Sequence, residues 1–240
     1  MMPAGIDLRR HRSLPSTMDA AAALAHAGAA HGVVVVAEEQ TAGRGRRGTQ
    51  WASPPGSGLY FSFVSRPGDP SLITLAAGVA VRDGIAAATG LAPDLKWPND
   101  VMVGRRKLAG MLAEGLAIGT AAQAVIIGVG INVQPAAYPA DVAARATSIE
   151  AELGRPIDGE PLLVAVLEAL RDRLVLLEQK PGDILQAWRA ASPNAVGTRV
   201  EWDGRVGTTA GVDDSGALLV RTRAGVERVV AGELTWHLGT

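Results

Sequence analysis

Six consecutive positions, Gly43-Arg44-Gly45-Arg46-Arg47-Gly48, interleave three glycines with three arginines. The run offers no apolar side chain to a core, and ordering it costs much backbone entropy. It is suited to closing on an anion: glycine lets backbone N–H groups approach closely, and each guanidinium is a planar, permanently charged donor fork. A second loaded segment is Lys96-Trp97-Pro98-Asn99-Asp100, where a cation, an amide and a carboxylate meet at a strand end stopped by proline. Lys107 follows in Arg105-Arg106-Lys107-Leu108-Ala109-Gly110. If these segments converge they form a basic pocket with Asp100 as its one carboxylate. A carboxylate among cations can hold Mg²⁺ or orient an incoming amine. The chemistry indicated is the handling of a phosphate- or carboxylate-bearing ligand.

Each of these residues also has a plainer reading. Ser16-Thr17-Met18-Asp19 is the start of a capping box, so Ser16 and Thr17 can serve a helix end alone. Lys96 and Asp100 can be a surface ion pair of little worth. Arg105 and Arg106 read as a solvated turn, while for Lys107 spacing alone favours neither reading. Trp51 and Trp97 fit a core or rim. In Gly128-Val129-Gly130-Ile131-Asn132-Val133, the glycines allow either close backbone packing or room for a nucleotide.

The elements that must position these residues follow from pattern. A helix is expected over 17–29, a buried strand at Val33–Val36, a long loop over 40–57, and a strand at Leu59–Val64. A helix from Ser71 to Thr89 ends at Gly90. Asp94–Trp97 is a short strand, and Val101–Val103 pairs with Lys107–Leu116 as a hairpin with a basic tip. Ala124–Val133 is apolar on both faces and so central. Helices follow at Glu160–Gln179 and Asp183–Ala191. From Gly197 the pattern changes to short strands split by Asp203-Gly204, Asp213-Asp214-Ser215-Gly216 and Ala224-Gly225. The fold class expected is α+β: a mixed central sheet flanked by helices, then a small SH3-like β-barrel. The domains expected are 1–192 and 193–240.

Bulk properties bound the function. The chain has 240 residues, 48% of them hydrophobic, enough for one large core and a smaller one. Net charge is −1, so any phosphate site is a local basic cluster. The absence of cysteine excludes disulfides, thiolate metal sites and cysteine nucleophiles. The polar stretch Met1–Arg12 lacks a signal-peptide core, and no apolar run is long enough to span a bilayer. Cytoplasmic location is the expectation. No Walker A loop, Rossmann fingerprint, zinc pattern or Ser/His/Asp arrangement is present.

Four motifs in order resemble biotin protein ligase. They are Gln40-Thr41-Ala42-Gly43-Arg44-Gly45-Arg46-Arg47-Gly48, Lys96-Trp97-Pro98-Asn99-Asp100, Arg106-Lys107-Leu108-Ala109-Gly110-Met111-Leu112 and Gly128-Val129-Gly130-Ile131-Asn132-Val133. The C-terminal β-domain matches as well, so the resemblance covers nearly the whole chain. It implies a class II synthetase-like ligase domain and a two-step reaction. Biotin and ATP, with Mg²⁺, give biotinyl-5′-AMP and pyrophosphate; the biotinyl group then passes to one lysine of a biotin carboxyl carrier domain of an acyl-CoA carboxylase. Two anions must approach each other, so cations have to offset their repulsion. The mixed anhydride hydrolyses readily, so a loop should close over it.

Carried onto this sequence, the resemblance places Ser16, Thr17 and Gln40 at the biotin ureido ring. Arg44, Gly45 and Arg46 form the adenylate loop and also contact biotin. Lys107 holds the biotin carboxylate and the phosphate. The catalytic set implied is Lys107, Asp100 and Arg44. The nucleotide set is Arg46, Trp51, Lys96, Asn99, Gly110 and Asn132, with Asp100 also the candidate Mg²⁺ ligand. Met18 stands where the family commonly has Asn, which favours packing over polar contact there. The motifs begin near the N-terminus, so no winged-helix DNA-binding domain and no DNA partner are expected. A monomer or weak homodimer, free of membrane, is anticipated. Two other readings compete: a lipoate or octanoate ligase of the same fold, and a non-enzymatic nucleotide- or RNA-binding module.

Overall fold

The computed structural model describes residues 1–136, 138, 140–230, 232 and 234–237. The first 132 residues build a seven-stranded mixed sheet. Its strands are β1 (Asp7–Leu14), β2 (Val33–Gln40), β3 (Gly58–Ser65), β4 (Asp94–Lys96), β5 (Asp100–Val103), β6 (Arg106–Leu116) and β7 (Ala124–Asn132). Their spatial order is β1-β2-β3-β7-β6-β5-β4. β1 and β2 run parallel, and the remaining neighbours are antiparallel. β7 lies at the middle and every one of its residues is buried, as a strand apolar on both faces requires.

Alternate residues of these strands feed two apolar layers. Val33, Val35, Val64 and Ile126 pack with Met18, Ala21 and Ala25 of α1 (Thr17–His26) on one face. Val34, Val36, Phe61, Phe63 and Ile127 belong to the larger core on the other face. That core is covered by α2 (Ile73–Thr89) and, after the short α3 (Ala140–Ala143) and α4 (Ile149–Leu153), by α5 (Gly159–Gln179) and α6 (Pro181–Ala190). Leu162, Leu163, Val166, Leu167, Leu170, Leu174 and Leu177 of α5 are buried, the stripe that helical spacing predicts. α2 and α5 meet closely at Gly84, where a Cβ would lie 2.5 Å from the Val166 Cα.

A second, wholly antiparallel sheet follows from β8 (Val196–Trp202) through β9 (Arg205–Val212), β10 (Leu218–Thr222) and β11 (Gly225–Val229) to β12 (Thr235–His237). Its order is β11-β10-β9-β8-β12, and among the described residues no pairing joins β11 to β12. Val200, Trp202, Leu218, Val220 and Val229 join the same core as α2 and α5, so apolar contact is continuous across both sheets. The Trp97 indole N–H donates to the Gly216 carbonyl at 2.9 Å, tying β4 to the second sheet. The part of the expected 193–240 unit beyond residue 237 lies outside the described residues.

Several elements depart from the sequence expectation. β1 is an edge strand whose residues are largely exposed, so it lacks the alternation that betrays a half-buried strand. α1 stops at His26, because Ala27 caps it and Gly28 turns the chain at φ 89°. The 40–57 segment folds back on itself through bridges pairing Gln40 with Ser53 and Arg44 with Gln50. A single 3₁₀ turn, Arg46–Gly48, sits at its tip with Arg47 in the left-handed region at φ 53°. β12 and α4 carry too few residues to show a period.

Candidate active site

The site lies on the α1 face of the sheet, where small residues leave a depression. Antiparallel pairing sets Gly110 of β6 opposite Gly130 of β7, and Leu112 opposite Gly128. A Cβ at Gly128 would meet the Met18 sulfur at 2.7 Å, and one at Gly130 would meet the Trp51 indole at 2.4 Å. The space that these glycines open is therefore filled by Met18 and Trp51. The glycines thus admit close packing of Met18 and Trp51 against the strand, and both also line the cavity. Met18, in turn, has an apolar packing role.

Above this floor is a cavity of about 430 Å³. Its walls are α1, the end of β2 and the 142–146 segment, and the Gly/Arg loop forms its roof. Of the residues singled out from sequence, Thr17, Gln40, Arg44, Gly45, Arg46, Trp51, Asn99, Asp100, Lys107, Gly110 and Asn132 line it. Ser16 and Lys96 do not. The buried Ser16 hydroxyl accepts the Met18 N–H at 3.2 Å and caps α1. Lys96 reaches the site through Asp100, 3.4 Å from one carboxylate oxygen.

The chemical centre is the cluster of Lys107, Asp100 and Trp51. The Lys107 ammonium lies 2.5 Å from Asp100 Oδ1 and 5.2 Å from the centre of the Trp51 ring. β5–β6 pairing makes this possible: a register shift between Val101 and Met102 sets Lys107 opposite Met102, two residues along β5 from Asp100 and so on the same face. Lys107 is held by its backbone as well: its N–H donates to the Arg145 carbonyl at 2.7 Å and its carbonyl accepts from Thr147 at 2.9 Å. Asn132 braces the same place, donating to the Thr147 carbonyl at 2.9 Å and the Lys107 carbonyl at 3.4 Å. Its amide N–H groups are thus spent on the frame around Lys107. Asn99 donates to the Met111 carbonyl at 2.6 Å and accepts from Arg46 at 3.4 Å.

The polar end of the cavity toward α1 is a connected network. Gln40 Oε1 accepts the Thr17 N–H at 2.9 Å and its hydroxyl at 3.1 Å, while Gln40 Nε2 donates to Ser53 at 2.8 Å. Ser62 lies 2.9 Å from the Thr17 hydroxyl. A buried network with fixed donors and acceptors can discriminate a polar ring from a plain acyl chain.

Charge in the cavity is strongly one-sided: Arg44, Arg46, Arg47, Lys107 and Arg145 face one lining carboxylate, Asp100. Burial lowers the Arg46 pKa, against the opposing pull of Asp100, so its charge is stabilised by any added anion. Arg44 behaves differently. Burial opposes its charge, yet Asp19 and Glu114 together hold its pKa above the usual value. Its guanidinium donates to Asp19 at 2.7 Å and to Glu114.

Tyr138 and Arg145 escaped the sequence reading. They sit in a segment of Ala, Arg and Pro that has no periodicity, and the bridge between Lys107 and Ala146 brings it to the cavity. Among the described residues three buried side-chain polar atoms lack a partner, and two of them, the Trp51 Nε1–H and the Tyr138 hydroxyl, belong to residues that line the cavity. Burial, aided by Tyr60, pushes the Tyr138 phenol up to about 12, so it remains a donor. Unmet buried donors beside a cationic cavity are what an acceptor-rich ligand would satisfy.

No group of three or more His, Cys, Asp or Glu side chains is placed to hold a metal ion among the described residues. Both Asp100 oxygens already face lysine ammoniums. No described helix is long and apolar enough to cross a membrane.

Comparison with known proteins agrees with this geometry. Residues 11–132 match the model of the biotin/lipoate A/B protein ligase family. The bifunctional ligase/repressor BirA of Bacillus subtilis is 34% identical over 96% of this chain and 74% of its own length. A biotin–[acetyl-CoA-carboxylase] ligase of Mycobacterium tuberculosis is 36% identical over 86% of this chain and 79% of its own. The structure of Aquifex aeolicus biotin protein ligase in complex with biotin and ATP superposes with a TM-score of 0.84 at 28% identity, covering 97% of this chain and 99% of that one.

Proposed function

The chain belongs to the biotin/lipoate A/B protein ligase family, and from that premise we propose that it activates biotin with ATP and biotinylates a carrier protein. In the first step a biotin carboxylate oxygen attacks the α-phosphorus of ATP, and pyrophosphate leaves. In the second the amine of an acceptor lysine attacks the acyl carbon, loses a proton and expels AMP.

The observation that carries the reading is Lys107. It is a cation fixed by backbone hydrogen bonds on both sides, in a cavity with five cations and one carboxylate among its lining residues. A carboxylate and a phosphate repel each other as they approach, and a positioned ammonium between them offsets that repulsion most where charge develops. Arg46 adds a second, partly desolvated charge whose protonation an anion favours. Thr17 and Gln40 are assigned to the biotin ring, since their fixed network can read its ureido group. Ser16 supports them by capping α1. Gly45 lets the loop backbone approach the ligand, and Gly110 leaves room for the Lys107 stem, whose Cε would lie 2.8 Å from a Cβ there.

Asp100 orients Lys107 and is placed to draw the acceptor amine toward the acyl carbon. Lys96 shares that carboxylate and frees Lys107 to engage a ligand. Asn99 anchors Arg46, Asn132 frames Lys107, and Trp51 shields the anhydride. Magnesium enters this scheme with the nucleotide, as the counter-ion of its phosphates. We take the acceptor to be the carrier domain of an acyl-CoA carboxylase, and the enzyme to work in the cytoplasm as a monomer or weak homodimer. A net charge of −1 provides no general attraction to DNA. Pyrophosphate release measured with biotin and with lipoate side by side tests the reading; release with biotin alone supports it.

A further inference from the structure

Arg44 lies in the anion-binding loop, yet its side chain does not turn to the centre of the site. One terminal nitrogen donates to Asp19 in the first turn of α1. The other donates to Glu114 on β6. Those carboxylates belong to the α1 wall and to a strand of the floor, 25 and 70 residues from Arg44 in sequence. Glu114 shares the sheet face of Leu112 and Gly128, the face that the loop covers, through its pairing with Ile126. The pairs are half-exposed, with Arg44 at 38%, Asp19 at 59% and Glu114 at 37%.

We propose that Asp19 and Glu114 are positioning residues that latch the Gly/Arg roof shut through Arg44. The inference rests on the reading of the cavity as an adenylate site. The base of the loop is tied to the β1–α1 connection by Thr41 N–H to the Leu14 carbonyl at 3.0 Å and Ala42 N–H to the Pro15 carbonyl at 2.9 Å, while beyond it the roof is closed by Gly45 N–H to the Thr49 carbonyl and Trp51 N–H to the Gly43 carbonyl. The first pair anchors the base of the loop, and the second holds the hairpin together without tying its tip to the walls. Arg46 offers a single long contact to Asn99. The Asp19–Arg44–Glu114 bridge is thus the charged tie from the tip of the roof to wall and floor. Its strength suits a reversible closure. Exposed ion pairs are weak enough to break in each turnover, yet two sharing one guanidinium bias a two-state loop about fivefold. A leaky roof exposes the mixed anhydride to water and to stray amines.

The test uses Glu114→Gln and the double variant Asp19→Asn with Glu114→Gln in the full chain. Enzyme is loaded with biotin and ATP without acceptor, and release of biotinyl-5′-AMP is followed with the melting temperature. The latch predicts release about fivefold faster for the double variant at unchanged melting temperature. It also predicts that salt speeds release from the wild type and not from the double variant. Asp19 also sits near a helix N-terminus, so Glu114→Gln alone must move release in the same direction. The charge-exchanged pair Arg44→Glu with Glu114→Arg should recover part of the retention. Variants that hold the adenylate as long as wild type overturn the latch. A wild type that makes no adenylate overturns the reading of the site, a distinct outcome.

Discussion

At the scale of single residues, the account turns on fixed charge. Lys107 is oriented by Asp100 at 2.5 Å and by Trp51 beneath it. Replacing it with Ala should lower biotin-dependent pyrophosphate release by about a hundredfold or more, the usual cost of removing a preorganised electrostatic group. A fall in rate with the melting curve preserved confirms the role; full activity refutes it. The Tyr138 hydroxyl gives a complementary case. It is buried and unpartnered, so Tyr138→Phe removes no protein hydrogen bond. Stability should hold or rise slightly, while ligand affinity falls about tenfold if the hydroxyl meets a ligand acceptor. Calorimetric titration with biotin and with ATP checks it. Lys107 was reached in sequence only through the resemblance its motif carries, because spacing alone favours neither a site nor a solvated turn. Tyr138 was not, because its place in the cavity comes from a long-range bridge at Lys107 that no local pattern encodes.

At the scale of elements, glycine positions reveal where strands and helices were brought unusually close. Gly84 admits the α5 backbone against α2, and a methyl there meets the Val166 Cα at 2.5 Å. Gly84→Ala should destabilise the fold by about 1–3 kcal/mol through overpacking, measured by urea unfolding, with little effect on ligand affinity once folded. The second sheet has its own electrostatic pin. Burial pushes the Asp213 carboxyl up, but Arg228, Ser215 and Ala217 outweigh it and hold the pKa at about 2, from an ordinary 3.8. Because the folded value is the lower one, its stabilisation is complete above pH 3.8 and fades as pH falls toward about 2. Asp213→Asn should flatten that part of the acid-unfolding curve; an unaltered curve contradicts the assignment. Most elements were visible in the sequence: the β-branched run of β2, the apolar β7 and the leucine stripe of α5 each declared itself by period or composition. β1 stayed hidden because it is an exposed edge paired in parallel with β2. The roof loop looked open because glycine and arginine carry no strand signal, although bridges to Ser53 and Gln50 fold it over the site.

At the scale of the whole molecule, one sheet provides a floor, α1 and the 142–146 segment provide walls, and a basic loop provides the roof. The second sheet is fused to this frame through a shared core and the Trp97–Gly216 hydrogen bond. Gly232, beyond β11, lies along the cavity itself, so the C-terminal region contributes to the site as well as to packing. The arrangement offers a cation-lined cavity under one roof, in which two anions can meet. Biotin-dependent pyrophosphate release tests this most directly. Purified protein is given ATP with biotin, with lipoate or with neither, and pyrophosphate is counted over time. The account predicts a burst with biotin alone, at one equivalent per active site when no acceptor is present. Equal release with lipoate, or release that ignores the acyl substrate, would contradict it.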